Sequence, residues 1–291
     1  LILVTVARWF AMTIRRTTET DVPQPVRVDR WHRVPAVAPT PTDDGSYEHT
    51  IYTPEQAGDG MSSTDAVEQL MERDVFEAAD ADGLRPTEAF REAVDRHRQT
   101  LADHAADERS AAVAELTDDS ETADTFAAAE VTDPAFLARY VALRNRTTDL
   151  SPTQALTLTV VIGQFETGTP RADGAPAAFL PVAGEDLVRL VKLHERCIVY
   201  AWREDCPPCD TIRADFDDLF GDEPPGDLLL LAVYGPDCPR LLDREFDVSG
   251  APTTLFTLDG RVDSRFVGAP STAGIETEIE TLRERTPPSA E

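Results

Sequence analysis

Two short apolar runs in the last third of the chain constrain its fold more than any other feature. CIVYAW (residues 197–202) and DLLLLAVY (227–234) are continuously apolar, as expected for strands that are covered on both faces of a sheet. Helical patterns flank them, as in EDLVRLVKLHER (185–196), where apolar residues recur at helical spacing. The order helix, strand, helix, strand, helix, hairpin and helix predicts a layered α/β domain over residues 181–285.

The predicted domain ends in a β-hairpin and a helix. TTLFTL (253–258) and RVDSRFVG (261–268) are joined by Asp259-Gly260, a dipeptide that favours a two-residue hairpin turn. The following segment IETEIETLRER is expected to close the domain as a helix, and residues 286–291 are expected to be a disordered tail.

Residues 61–165 carry helical patterns, and we expect a small all-α domain there. In PTEAFREAVDRHRQTL, Pro86 is expected in the first turn of a helix with one apolar stripe. DPAFLARYVALRNR begins with Asp133 as a predicted N-cap and Pro134 as the first helical residue.

A third helix and a linker complete this region. SPTQALTLTVVIGQF (151–165) is apolar nearly all round, which predicts the central helix of the bundle. Residues 166–180 have the Gly, Pro and Ala content of a linker between domains. His97 and His104 lie seven residues apart on one helix, and we interpret them as part of a solvated or partly packed helix face.

The first sixty residues differ from the rest, because they are nearly balanced in charge and rich in proline. We expect residues 1–60 to be an unstructured tail or an over-extended reading frame, with translation starting at Met61. The apolar opening LILVTVARWFAMTI is interrupted by Arg8 and is too short to span a bilayer of about 30 Å. The pair Arg15-Arg16 follows the apolar run, whereas signal peptides carry their charge in front. We therefore expect a cytoplasmic protein without a membrane partner.

The charge of the chain limits its partners. Its 54 acidic residues outnumber its 27 basic residues, the formal net charge is −27, and Lys192 is the only lysine. Such a composition resembles the proteomes of halophiles that accumulate salt, since concentrated salt screens the repulsion between surface carboxylates. Binding of nucleic acid is not expected, because phosphate contacts need clustered lysine and arginine.

The motif CPPC, Cys206 to Cys209, lies where the first apolar strand ends and a helix begins. At a helix N-terminus, unpaired N–H groups and the helix dipole favour a thiolate over a thiol. A spacing of two residues brings the two sulfurs within reach of a disulfide. Cys206 can then attack a substrate disulfide, and Cys209 can resolve the mixed disulfide.

These residues resemble the thioredoxin superfamily over about residues 180–285. The resemblance rests on Trp202 four positions before Cys206, on the CPPC motif, and on FDVSGAPTTLF (246–256), in which Pro252 stands where the family keeps a cis-proline. Gly268 matches the glycine that usually follows the last strand. The resemblance implies a thioredoxin-like α/β fold with a central mixed sheet flanked by helices. It also implies that Cys206 is the nucleophile and Cys209 the resolving thiol. The residues that would support or dock the substrate are Trp202, Pro207, Pro208, Ala251, Pro252 and Thr253.

The chain departs from the family pattern at several positions. Tyr200 stands where thioredoxins carry a buried aspartate that handles protons for the resolving cysteine, and Val233 lies about where a lysine partner of that aspartate would be. Asp205 replaces the tryptophan expected before the first cysteine, and Ala214 replaces a proline that commonly kinks the helix. Without the aspartate, the proton for exchange must come from water or from the substrate.

The surroundings of the dithiol also disfavour an ionised Cys206. The Pro-Pro dipeptide removes the N–H of residue 207, and three acidic residues surround the sulfur: Glu204, Asp205 and Asp210. A strongly oxidising disulfide depends on a very stable thiolate. We therefore expect a reductant or a slow, specialised exchanger.

Other interpretations of the cysteines are open. His194, Cys197, Cys206 and Cys209 have the ligand types of a zinc site, but an extended segment would hold Cys197 roughly 20 Å from Cys206. Cys197 is more simply a buried apolar residue. Cys238 stands at another helix start, as a bystander or an auxiliary regulatory thiol. A purely structural Cys206–Cys209 bridge remains a further alternative.

Two classes of function follow. The first is a thiol–disulfide oxidoreductase with no cofactor beyond its dithiol, which acts on a disulfide in a protein or a small molecule and is served by an upstream reductase. The second is a non-catalytic thioredoxin-fold scaffold whose helical domain faces the partner and whose CPPC motif is idle. Trapping of mixed disulfides by cysteine variants distinguishes the two.

Overall fold

The computed structural model of the chain describes residues 70–79, 83–148, 150, 152–221, 225 and 227–286. The expectations for residues 1–60 and for a start at Met61 lie outside the described residues, as does the expected tail except for Thr286. Among the described helices, none is both long and apolar enough to cross a bilayer.

In the described part of the region before the linker, residues 70–72 are helical and an antiparallel hairpin follows them. β1 (Phe76–Ala79) pairs with β2 (Gly83–Pro86). The expectation of an all-α domain is therefore wrong for this segment. In β1, Phe76 is buried, Glu77 is half-buried and Ala78 is exposed, so no regular alternation marks the strand, and the backbone pairing with β2 holds it. Each strand is only four residues long, which is too short for a pattern to stand out in the sequence.

Five helices follow the hairpin, and their ends follow ordinary capping rules. Pro86 ends β2, so it is not part of the first helix as expected; the hydroxyl of Thr87 caps that helix by accepting from the N–H of Phe90 at 3.0 Å. The predicted cap at Asp133 is confirmed, since its carboxylate accepts from the N–H of Ala135 at 3.0 Å. The helices are α1 (Glu88–Ala102), α2 (Arg109–Thr117), α3 (Ser120–Ala128), α4 (Pro134–Arg144) and α5 (Pro152–Thr167).

The second half of the chain forms a mixed five-stranded sheet with helices on both faces, as the resemblance implies. Its strands run in the order β3-β5-β4-β6-β7, with β3, β4 and β5 parallel and β6 and β7 antiparallel to their neighbours. The strands are β3 (Leu180–Pro181), β4 (Arg196–Trp202), β5 (Leu229–Tyr234), β6 (Thr253–Leu258) and β7 (Arg261–Val267). The helices are α6 (Gly184–Leu193), α7 (Pro207–Phe220), α8 (Pro239–Phe246) and α9 (Thr272–Glu284).

The hairpin of β6 and β7 turns where the sequence predicts. Asp259 and Gly260 both have positive φ, 50° and 78°, as a two-residue turn that matches the strand twist requires. The turn, together with a bulge at Phe256 and Thr257, sets the register in which Thr253 lies opposite Val267. It therefore fixes the start of β6 beside the last residues of β7.

The two faces of the sheet belong to different cores. On β4, Ile198, Tyr200 and Trp202 point toward α7 and α9, in a core that also contains both cysteines of the CPPC motif. Val199 and Ala201 point to the opposite face, where α6 and α8 pack. That second core continues without interruption into helices α1 to α5, so the helical region and the sheet share one apolar interior.

Polar contacts fix the helical region onto this face. The side-chain amide of Gln164 on α5 donates to the carbonyl oxygen of Pro181 on β3 at 3.0 Å. Arg189 on α6 forms an ion pair with Asp133 at 3.1 Å, and its guanidinium lies 5.5 Å from the ring centroid of Phe136. The face of the sheet opposite the CPPC motif is thus occupied by the helical region.

Candidate active site

The CPPC motif lies at the edge where two parallel strands end. β4 ends at Trp202 beside Tyr234, the last residue of β5. The chain then turns into α7, which begins at Pro207. Cys206 and Cys209 form a disulfide, with their Cα atoms 5.2 Å apart. The pair therefore stands at the carboxyl end of the sheet, a common position for a reactive site in α/β proteins.

The first turn of α7 directs one N–H group at the outer sulfur. Cys206 is the N-cap residue, and its Sγ accepts from the backbone N–H of Cys209 at 3.3 Å. Pro207 and Pro208 are exposed and contribute no N–H. The N–H of Cys209 and the positive end of the helix dipole are thus what the fold provides to stabilise a thiolate at Cys206.

A proline loop faces the disulfide from the other side. The Ala251–Pro252 peptide bond is cis, as the resemblance implies. The Sγ of Cys206 lies 3.8 Å from the carbonyl oxygen of Ala251. The loop is held by Gly268, whose N–H donates to the carbonyl oxygen of Pro252 at 2.9 Å, and by the hydroxyl of Thr253, which donates to Gly250 at 2.8 Å. The structure thus brings Ala251, Pro252 and Thr253 to the dithiol.

Trp202 lies in the interior beneath the site. Its side chain is 2% exposed, and its ring centroid is 4.8 Å from that of Tyr234. Gly174 covers the other side of the indole: a Cβ at that position would lie 2.3 Å from the ring. Within the described part of the chain, the indole Nε1 has no hydrogen-bond partner. Trp202 therefore packs under the site, where it lines the adjoining polar cavity with very little exposed surface.

The segment expected to be a linker packs closely on this side of the site. Arg213 on α7 donates to the carbonyl oxygen of Asp173 at 3.1 Å, and the N–H of Ala177 donates to the carboxylate of Asp217 at 2.7 Å. Arg171 lies 4.5 Å from the ring centroid of Tyr234. We call residues 171–177 the strap. The sequence carries no signal for it, because these contacts join residues at least thirty positions apart.

The strap and α7 neutralise two of the three acidic residues near Cys206. Arg171 forms an ion pair with Glu204, and Arg213 lies 3.7 Å from the carboxylate of Asp210. Asp205 has a positive φ of 50°. These residues surround a polar cavity of about 440 Å³ next to the disulfide. The sequence argument for an acidic surrounding missed the two arginines, so the net negative charge at the sulfur is smaller than expected.

Tyr200 occupies the interior behind Cys209. Its hydroxyl donates to the backbone carbonyl of Cys209 at 2.8 Å, and burial raises the pKa of its phenol above the ordinary value. A phenol with a raised pKa keeps its proton and cannot serve as a base near neutral pH. Val233 is also buried. The local role of Tyr200 is thus to hold the first turn of α7 in place.

The remaining cysteines lie away from the disulfide. Cys197 starts β4 at the end opposite Trp202, and its thiol lies 4.0 Å from the carbonyl oxygen of Leu190. Burial raises its pKa to about 12. Cys238 precedes α8 and is half-buried, and its pKa is raised by burial and by Asp237. Across the described ranges, no group of three or more His, Cys, Asp or Glu side chains is placed to hold a metal ion.

Comparisons with known proteins give structural neighbours but no sequence relative. No family model matches the sequence, and no curated protein matches it. A thioredoxin variant from Halobacterium salinarum is 19% identical, with 38% of this chain and 96% of that chain covered and a TM-score of 0.33. Mitochondrial thioredoxin 3 from Saccharomyces cerevisiae in its oxidized form is 18% identical, with 33% of this chain and 88% of that chain covered and a TM-score of 0.30.

The fold and the site together define a class. Residues 180–284 form a mixed sheet in the order given above, flanked by α6 and α8 on one face and by α7 and α9 on the other. A disulfide at the start of α7 faces a cis-proline loop. This part of the chain is a layered α/β domain with a close cysteine pair beside a cis-proline loop.

Proposed function

We propose that this chain is a thiol–disulfide oxidoreductase in which Cys206 attacks and Cys209 resolves. The observation that carries the proposal is the position of the disulfide at the first turn of α7. There, Cys206 Sγ receives the N–H of Cys209 at 3.3 Å and lies 3.8 Å from the carbonyl of Ala251. A bridge that only stabilised the fold would need neither a helix N-terminus nor a neighbouring docking edge.

The reaction starts from the reduced dithiol. The Cys206 thiolate attacks one sulfur of a substrate disulfide; a new S–S bond forms, the substrate S–S bond breaks, and one substrate thiolate leaves. The Cys209 thiolate then attacks the Cys206 sulfur, restores the intramolecular disulfide and releases the second substrate thiolate. Two electrons pass from the protein to the substrate. An external dithiol reductant returns them to the Cys206–Cys209 pair.

Position along α7, rather than burial, divides the roles of the two sulfurs. Both cysteines are 4% exposed, but Cys206 is the N-cap residue and Cys209 lies one turn inside α7, over Tyr200. A substrate sulfur therefore approaches Cys206 along the edge formed by Ala251. The thiol of Cys209 becomes reactive when the mixed disulfide brings a sulfur within its reach.

Proton transfer is the weak step of this mechanism. Tyr200 holds its proton, so the Cys209 thiol must lose its proton to water or to a substrate group. The charges of Asp205 and Asp210 disfavour a stable thiolate at Cys206, although Arg213 offsets part of this effect. These two features support a reductant that turns over slowly rather than a strong oxidant.

Trapping of mixed disulfides tests the proposal directly. Cys209→Ser retains the attacking thiol but cannot resolve the intermediate, so it should accumulate covalent adducts with substrate proteins that dithiothreitol releases. Cys206→Ser and the double variant should accumulate none. Cys238→Ser is the matched control and should behave as the unmodified protein does. If the unmodified protein binds partners that Cys206→Ser also binds unchanged, the scaffold alternative replaces the enzyme.

A redox titration separates an exchanging pair from a structural bridge. The full chain is equilibrated with dithiol and disulfide buffers in multimolar KCl, and free thiols are counted by mass spectrometry. We expect a two-electron transition at Cys206 and Cys209 near the potential of reducing thioredoxins, about −270 mV. A pair that stays oxidised at potentials well below −300 mV would indicate a structural disulfide.

A further inference from the structure

An apolar groove leads away from the disulfide on the side opposite the strap. It has a volume of about 430 Å³, and its floor is formed by three buried side chains, Ala201, Leu242 and Val248. Ala251 lines one end, and the carbonyl oxygen of this residue lies 3.8 Å from Cys206 Sγ. A substrate segment that reacts with Cys206 would therefore pass directly over the groove.

Two arginines that have no partner among the described residues stand at this groove. Arg203 and Arg240 both line it and are exposed. Neither forms an ion pair or a side-chain hydrogen bond within the described residues, whereas nearby Arg171, Arg213 and Arg244 all do. One carboxylate, Asp243, also lines the groove. The local charge is therefore positive.

The charge of the groove is opposite to that of the chain. The protein carries a net charge of −27, so most of its arginines find carboxylates on its own surface. Two arginines left without such partners beside an apolar surface form a site that complements an acidic group on another molecule. Arg203 also lines the cavity on the strap side, but the arginines on that side, Arg213 in the cavity and Arg171 beside it, are already engaged by Asp210 and Glu204.

We propose that this groove binds a segment of a partner protein in which an apolar side chain fills the cavity and a neighbouring Asp or Glu pairs with Arg203 and Arg240. The inference rests on the proposed function, since it names the class of protein disulfide that reaches Cys206. The volume accommodates one side chain of the size of leucine. The arginines then select acidic segments over basic ones.

The test uses short peptides whose single cysteine is held in a disulfide with 2-thiopyridine. The Cys206 thiolate attacks the peptide sulfur and releases pyridine-2-thione; Cys209 then displaces the peptide thiol and closes the protein disulfide. One peptide carries Leu and Glu beside the cysteine, a second carries Leu and Lys, and a third carries Ala and Glu. Rates are measured with the reduced full chain in the lowest KCl concentration at which it stays folded.

The arginine variants test whether Arg203 and Arg240 cause the preference for an acidic peptide. The unmodified protein should react roughly tenfold faster with the Leu-Glu peptide than with the Leu-Lys peptide, as two partly exposed charge pairs allow. The double substitution Arg203→Gln and Arg240→Gln should reduce this ratio to about one. Arg261→Gln, which removes another exposed arginine without a partner in the described residues, is the matched control and should keep the ratio. Replacing Leu by Ala should slow the reaction several-fold, because burial of leucine is lost.

Two outcomes overturn the inference and leave the proposed function intact. In the first, the peptides react through Cys206 with equal rates; in the second, a preference for Glu survives the Arg203 and Arg240 substitutions. If no peptide reacts, binding of the same labelled peptides, blocked at cysteine, to the Cys206→Ser/Cys209→Ser variant decides. A preference for Glu that depends on Arg203 and Arg240 would then support the docking site and reject the enzyme, and no preference would reject both.

Discussion

The hydroxyl of Tyr200 donates a hydrogen bond to the backbone carbonyl of Cys209 at 2.8 Å. The contact joins the middle of β4 to the first turn of α7, so it ties the resolving cysteine to the sheet. A residue at the position of a proton-handling aspartate has thus become a structural support. We expect the dithiol to depend on Tyr200 for its geometry and not for proton transfer.

We expect Tyr200→Phe to lower stability and leave chemistry nearly unchanged. The substitution removes one buried hydrogen bond and leaves the carbonyl of Cys209 without this donor, which costs about 1 kcal/mol. The measurement is the free energy of unfolding by denaturant, together with the rate at which the reduced protein reacts with dithiodipyridine. A large loss of rate with unchanged stability would show that the phenol takes part in proton transfer.

The strap should be sensitive to a single methyl group. A Cβ at position 174 would lie 2.3 Å from the indole of Trp202, closer than real contacts allow, and the rigid ring cannot move away cheaply. Gly174→Ala should therefore destabilise the fold by roughly 1–3 kcal/mol, the usual range for overpacking. Gly250→Ala is the control, because nothing lies within 4 Å of the added atom. Equal stability of the two variants in denaturant unfolding would mean that the strap is not held against Trp202.

The sequence predicts those structural elements that are determined by residues close together in the chain. The apolar runs at 197–202 and 227–234 become β4 and β5, Asp133 caps α4, and Asp259-Gly260 makes the hairpin turn. In each case the signal and the structure depend on residues within a few positions of each other.

The features that were missed depend on distant residues or on very short segments. Arg171 pairs with Glu204, thirty-three positions further along the chain. The periodicity of apolar residues in the sequence does not predict such a distant ion pair. Arg203 and Arg240 meet at one groove only because β4 ends and α8 begins there. The hairpin at 76–86 has strands of four residues, which are held by pairing and by the burial of Phe76. The sequence also did not predict that the helical region and the sheet share one core. An apolar stripe shows which face of a helix is buried, but not which other element it packs against.

The four cysteines should differ sharply in reactivity toward a maleimide. In the native oxidised protein, Cys197 should not react at pH 8, because it is fully buried and its pKa is raised to about 12. Cys238 is half-buried with a raised pKa, so it should react more slowly than a free thiol. Reduction should add Cys206 as the next site. Mass spectrometry of digested protein after timed labelling measures each rate, and rapid labelling of Cys197 would contradict the packing at the start of β4.

Acid should weaken the junction between the helical region and the sheet through His194. The imidazole is 5% exposed beside Thr157 of α5, with Nε2 3.5 Å from the threonine hydroxyl. Burial lowers its pKa to about 4 from the ordinary 6.5. Between these two values the unfolded chain holds the proton and the folded chain does not. Stability should therefore fall as the pH drops from 6.5 toward 4, by at most about 1.4 kcal/mol per pH unit.

The contribution of His194 to the change of unfolding free energy with pH is obtained by comparison with variants. Denaturant unfolding is measured at several pH values for the unmodified protein, for His194→Gln and for His104→Gln, which removes a half-buried histidine just after α1. Carboxylates contribute to the pH dependence of all three proteins, so the difference between curves isolates the imidazole. His194→Gln should lose stability at neutral pH yet show a flatter decline from pH 6.5 to 4, whereas His104→Gln should follow the unmodified protein. Parallel curves for His194→Gln and the unmodified protein would mean that His194 can take up a proton in the folded state, and that the junction is open to water.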